Sequence, residues 1–240
     1  MPTPGSAGAR IVRWGLGDFF WIWPAGIVAS LVLGSVGFGI TGDQAGHPGG
    51  LTTALVVIGQ FGGWLAGLVI VSRTKGRSLR ADFGFVLRFR NAWALLLGGA
   101  LLIVLGALIV PIRNLANGRT QQVVHDLDTA HGAKLVVLIV VAALIAPMIE
   151  ELMFRGLLQR ALRRRFAPAA AIAIAAAVFA FAHPLLDPSI GTLSIVPALY
   201  ALGAISGVAA ECTGDLSVSI LLHIGFNLPT ALTAVILVHR

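Results

Sequence analysis

Long apolar runs separated by short polar stretches make up most of the chain: approximately 18–40, 51–72, 92–112, 133–157, 168–186, 192–211 and 217–238. A helical run of about 20 apolar residues, rising 1.5 Å per residue, crosses a hydrocarbon core about 30 Å thick. The pattern predicts an all-α fold, a polytopic transmembrane helix bundle of about seven spans. Residues 1–240 are expected to form a single membrane-embedded domain. The first run, "DFFWIWPAGIVASLVLGSVGFGI", is too long for a signal-peptide core and lacks a convincing cleavage site, so it is expected to be a retained anchor.

Composition agrees with this reading. Hydrophobic residues are 57% of the chain and charged residues 11%, against about 45–50% and about 25% in soluble domains. Mean hydropathy is +0.91. A net charge of +7 would fit a nucleic-acid partner. Lys and Arg of a membrane protein gather in cytoplasmic loops, however, so no nucleic-acid partner is expected.

Twelve of the 17 basic residues fall on one side of the predicted bundle. They are Arg10 and Arg13; Arg73, Lys75, Arg77, Arg80, Arg88 and Arg90; and Arg160, Arg163, Arg164 and Arg165. The other side holds Arg113, Arg119, Lys134 and Arg240 with Asp43, Asp126, Asp128 and Asp187. The positive-inside rule then puts the N-terminus in the cytoplasm. The expected setting is an integral, multi-pass protein of a bacterial plasma membrane. Cys212 is the single cysteine, which excludes an internal disulfide and a Cys-based metal cluster. "DFGFVLRFRN" (82–91) is expected along the inner interface, with Arg88 and Arg90 snorkelling. Gly63 and Gly67, and Gly203 and Gly207, are pairs of small residues four apart that let helices approach closely.

The informative residues are the polar ones inside the apolar runs, because an ionised group costs roughly 2.5–3.5 kcal/mol to insert. The fourth run carries "EELMFR". Glu151 and Arg155 are four apart and share a helix face, which permits a charge-assisted pair. Glu150 is rotated by about 100° from Glu151 and has no comparable partner in its own helix. The fifth run carries "FAFAH", with His183 after Phe179; the seventh carries "HIGFN", with His223 and Asn227 on one face. A carboxylate and an imidazole can polarise a water, while His and Asn donors can stabilise an oxyanion. The same Glu and two His could instead ligate zinc.

These three segments resemble, in order, the motifs of the CPBP family of intramembrane proteases, also called the CAAX protease and bacteriocin-processing family or Abi family. Its pattern is E-E-x-x-x-R, F-x-x-x-H and H-x-x-x-N. The resemblance lies within residues 132–230 and does not extend to the first three spans. It implies that Glu150 is the base activating water, with His183 assisting. It also implies that His223 and Asn227 hold the oxyanion, while Glu151 and Arg155 keep the site's shape and charge. The family is commonly described as metalloproteases, although a metal-free glutamate mechanism is also proposed. Zinc held by Glu150, His183 and His223 and a metal-free site therefore both stand open. No H-E-x-x-H motif is present.

The expected function is hydrolysis of a peptide bond in a membrane-associated peptide or protein, at a site reached from the cytoplasmic half of a water-filled cavity. The expected partners are the lipid bilayer and that substrate; the sequence specifies no oligomeric state. Counted at 1.5 Å per residue, Glu150 and His223 lie roughly 14 and 10 Å from the cytoplasmic boundary, and His183 roughly 22 Å. A catalytically silent membrane scaffold or bacteriocin-immunity-type factor is the alternative reading. A proton-coupled transporter is a further one, which inverted repeats or broken helices would favour.

Overall fold

The computed structural model describes residues 12–44, 47–115, 124, 126, 127 and 130–238. Arg10, Arg119, Asp128 and Arg240, used above in the charge count, lie outside the described residues. The fold is all-α. Among the described residues, six helices are long and apolar enough to cross a membrane: α1 (Leu16–Thr41), α2 (Gly50–Lys75), α4 (Phe89–Leu115, entered through a 3-10 turn), α5 (Gly132–Leu162), α6 (Pro168–Leu186) and α7 (Ile190–Thr213). A further apolar helix, α8, covers Ser217–Val238. Between α2 and α4 lies the short α3 (Leu79–Phe83). The count of about seven spans holds, and the fourth runs five residues past its expected end at 157.

Large apolar side chains face outward along these helices, among them Phe20, Leu31, Leu96 and Ile103. In water they would be a liability; against lipid tails they are in their proper solvent. Burial between helices therefore depends on shape. α4 packs along α8 and α6 along α7. At the first contact a Cβ on Gly98 would collide with the Leu222 carbonyl, and one on Gly225 with that of Leu95. Gly63 and Gly67 behave as expected: their missing side chains would meet Gly26 Cα at 3.0 Å and Ile22 at 2.9 Å, where α2 crosses α1. Gly203 admits Ala176 in the same way, with Cα 3.1 Å from where its Cβ would stand.

The arginine-bearing connections meet at one end of the bundle. Lys75 Nζ pairs with Asp18 at 2.5 Å, Arg88 Nε with Asp215 at 2.9 Å and Arg163 Nε with Glu211 at 2.8 Å. Arg164 lies over the Trp14 ring, 4.0 Å from its centroid. The 82–91 segment departs from expectation. Phe83 and Asp82 are buried rather than interfacial, and Arg88 is ion-paired rather than snorkelling. The cause is local. Asp82 accepts the Arg77 and Ser78 amides, closing α3, and Gly84 (φ 71°) turns the chain inward so that its carbonyl accepts Leu216 N–H at 2.9 Å. Leu87, Phe89 (85% exposed) and Arg90 are exposed and keep the interfacial character.

Two stretches of α5 depart from α-helical bonding: Val141–Ile145 and Leu152–Gln159 are π-helical. Bonding i to i+5 shifts the faces that follow and recurs at functional sites. The two stretches flank Ala146–Glu151, which carries both glutamates.

Candidate active site

The glutamate pair sits where α5 is fully surrounded. Glu151 and Arg155 are buried, with Arg155 Nη1 3.1 Å from Glu151 Oε1. The expected intrahelical pair is present, and it has company. His223 Nδ1 lies 2.9 Å from the same Glu151 oxygen, and the Arg155 guanidinium stacks on the Phe179 ring, 4.4 Å from its centroid. Gly203 makes the room, since its Cβ would stand 3.2 Å from Arg155 Nη2.

Phe179 is the residue whose part the sequence did not reveal. It is fully buried at the junction of three helices. Its ring meets Phe154, His183 and His223 edge-on at centroid distances of 5.2, 4.9 and 5.6 Å. Phe154 in turn meets Phe19 of α1 at 5.6 Å. The first helix, which carries no motif, thus reaches the site through an aromatic chain.

The nitrogens of the two histidines can be assigned from their partners. A carboxylate only accepts, so His223 Nδ1–H donates to Glu151 and Nε2 is left for a second proton or an incoming donor. That Nε2 lies 3.8 Å from Glu150 Oε2. His183 Nδ1 is 2.9 Å from the Phe179 carbonyl, which also only accepts, so its Nε2 is again the available atom. Asn227 Nδ2 donates to the Ala142 carbonyl at 2.9 Å, within the first π stretch, and retains one further N–H.

α6 and α8 both start at the arginine-rich end and run in parallel. Phe179 therefore stands beside His223, and His183 and Asn227, four residues further on each helix, line a common cavity one turn deeper. His183 stands one turn beyond the level of His223, a smaller offset than the sequence count gives, and α6 ends just beyond it, at Leu186. The cavity measures about 300 Å³. Besides His183, His223 and Asn227, it is lined by Leu102 and Arg113 of α4 and Gly191 at the start of α7. It lies toward the end opposite the arginine cluster, not in the half where the sequence expectation put it. Glu150 stands behind His223 with its side chain 15% exposed, outside the cavity wall itself.

Zinc would need its ligands within about 2.0–2.2 Å of one point. Glu150 Oε2 and His223 Nε2 face each other closely enough for two ligands. Among the described residues, however, no three His, Cys, Asp or Glu side chains form a metal-holding group. Glu150, His183 and His223 do not close into the expected set.

Residues 132–229 match the family model described as Type II CAAX prenyl endopeptidase Rce1-like. No curated protein and no solved structure gives a significant match. The matched segment begins with the first residue of α5 and ends two residues after Asn227, so it takes in all three motifs and both π stretches. Within this multi-pass bundle, residues 132–229 are thus similar to the Rce1-like CAAX protease family, in keeping with the CPBP motifs they carry.

Proposed function

We propose that this protein is an intramembrane endopeptidase that hydrolyses a peptide bond in a membrane-associated peptide or protein, using a water held between Glu150 and His223. The observation carrying the reading is the 3.8 Å gap between Glu150 Oε2 and His223 Nε2. Both atoms are acceptors once Nδ1–H is committed to Glu151, so together they suit a proton-bearing third party such as water. Glu150 takes the proton as the water oxygen bonds to the scissile carbonyl carbon. The oxyanion that forms accepts from the free Asn227 N–H, and from His183 or His223 when protonated. As the C–N bond breaks, the proton on Glu150 passes to the leaving amine, which restores the carboxylate.

Glu151 keeps His223 in one tautomer and orientation, and Arg155 balances the Glu151 charge in a place that water does not reach. The mostly apolar cavity suits a hydrophobic substrate segment. With the arginine-rich end in the cytoplasm, that segment would occupy the half of the bundle away from the cytoplasm.

The test is turnover of a membrane-embedded peptide library by purified protein in lipid. Wild type should cleave, and Glu150→Ala and His223→Ala should not. A chelator arm, with zinc added back, separates metal-dependent from metal-free turnover. Cleavage that survives Glu150→Ala would remove this residue from the role of base.

A further inference from the structure

Among the described residues, the cavity is lined by one charge that the hydrolytic chemistry does not use. Arg113 lies in the last turn of α4, half-buried, on the end of the bundle that is poor in cations. It lines the same cavity as His183, His223 and Asn227. Among the described residues it has no ion pair and no hydrogen bond. The acidic side chains of that end are otherwise engaged: Asp187 accepts from Ser189 N–H and Thr192 Oγ1, and Asp126 also has a partner.

Leu102, Gly106, Ile109 and Arg113 all line the cavity, at steps of four, three and four residues, so they form one face of α4. Leu102 belongs to the stretch just beyond the Gly98–Leu222 contact, near the level of Asn227. From there to Arg113 the helix rises about 16 Å. The cavity therefore has a catalytic end and a cationic end joined by an apolar wall. An extended peptide at about 3.3 Å per residue spans that separation with about five residues.

We propose that Arg113 is a specificity residue that binds a carboxylate of the substrate peptide and so sets which bond reaches His223. A guanidinium at the end of an apolar cavity gains most from a planar anion that it can hold with two parallel N–H bonds, and a peptide carboxylate has that shape. The proposal deepens the hydrolase reading and rests on it for the term substrate. Binding can nevertheless be measured without turnover.

The experiment uses full-length protein in neutral phosphatidylcholine nanodiscs. A fluorescent apolar heptapeptide with a free C-terminal carboxylate is compared with its C-terminal amide and with an amide bearing Glu at the last position. Wild type should bind the free acid about ten- to a hundredfold more tightly than the plain amide, as befits a hydrogen-bonded charge. Arg113→Gln should erase that ratio and Arg113→Lys should keep part of it, with both variants retaining the wild-type melting temperature. In turnover, the same ratio should appear in KM rather than kcat.

A Glu-terminated amide that binds like the free acid supports a site for any peptide carboxylate; one that binds like the plain amide supports a site for the α-carboxylate. Equal binding of acid and amide by wild type, or a preference that survives Arg113→Gln, overturns the proposal. Preference without cleavage of any peptide would leave the carboxylate site standing and count against the hydrolase reading. Cleavage with no preference would do the reverse.

Discussion

Two adjacent layers of the same three helices have opposite characters. In the layer of Glu151, Arg155, Phe179 and the His223 ring, the side chains are buried and engaged by charge, hydrogen bond or ring contact. One turn along, His183 and Asn227 use one polar atom each to tie themselves to backbone carbonyls and turn the rest toward a cavity. His223 belongs to both layers, with Nδ1 in the sealed one and Nε2 facing Glu150. The difference shows how the motif spacing works. A step of four residues on two parallel helices puts Phe179 and His183 on one face and His223 and Asn227 on another, joining the sealed layer to the cavity.

Breaking the sealed layer should have the largest effect on stability. Removing one partner of a buried pair typically costs about 3–5 kcal/mol, because the other charge is left uncompensated. Arg155→Met and Glu151→Gln should each lower the melting temperature in lipid sharply, and the double variant should recover part of the loss. If the singles melt like wild type, the layer is not sealed as described.

The open layer should respond in the opposite way. His183→Gln and Asn227→Ala are expected to leave melting nearly unchanged while cutting turnover about 10²–10³-fold, the usual consequence of losing an oxyanion donor. Parallel falls in stability and turnover would merge the two layers into one structural unit.

The helix contact beneath both layers should be intolerant of bulk. Gly98→Ala places a methyl against the Leu222 backbone, which cannot move aside as a side chain could, and should cost about 1–3 kcal/mol. Gly106→Ala, on the same helix but with open space at its Cβ position, is the matched control and should be neutral.

The smallest effect belongs to the connection between α1 and α2. Asp43 accepts from Thr52 Oγ1 at 2.6 Å and Gly49 N–H at 2.7 Å, and the Thr52 bond leads in holding its carboxyl below the usual carboxylate range. A depressed folded pKa contributes stability above the unfolded value, which is lost as pH falls through the folded one. Melting followed downward from pH 5 should therefore drop slightly more for wild type than for Asp43→Asn. Exposure to solvent keeps the difference small.

Much of this was legible in the sequence because a lipid-facing helix and a buried ion are each costly in a way that composition records. The spans followed from apolar length, and the Glu151–Arg155 pair from spacing of four. What escaped notice depended on three-dimensional packing. Phe179 was named by the F-x-x-x-H motif, but its part follows from Phe154, Arg155 and His223 on two other helices. Gly98 and Gly225 stand on separate helices, so no spacing rule could join them. The π stretches of α5 have no periodicity signal, and they turn the glutamates within a helix that reads as uniform. The cavity lay in the unexpected half because charge counts locate loops, not the space between helices. The first part of the 82–91 segment departs from the interfacial expectation because Asp82 acts as a local cap that draws Phe83 inward.

The most direct test compares Glu150→Gln with Glu151→Gln, measuring melting temperature and peptide turnover on the same lipid-reconstituted samples. The account predicts that Glu150→Gln melts like wild type and loses about 10²–10⁴-fold in turnover, the range for a general base, whereas Glu151→Gln loses stability as well. Turnover that persists in a well-folded Glu150→Gln protein would contradict it.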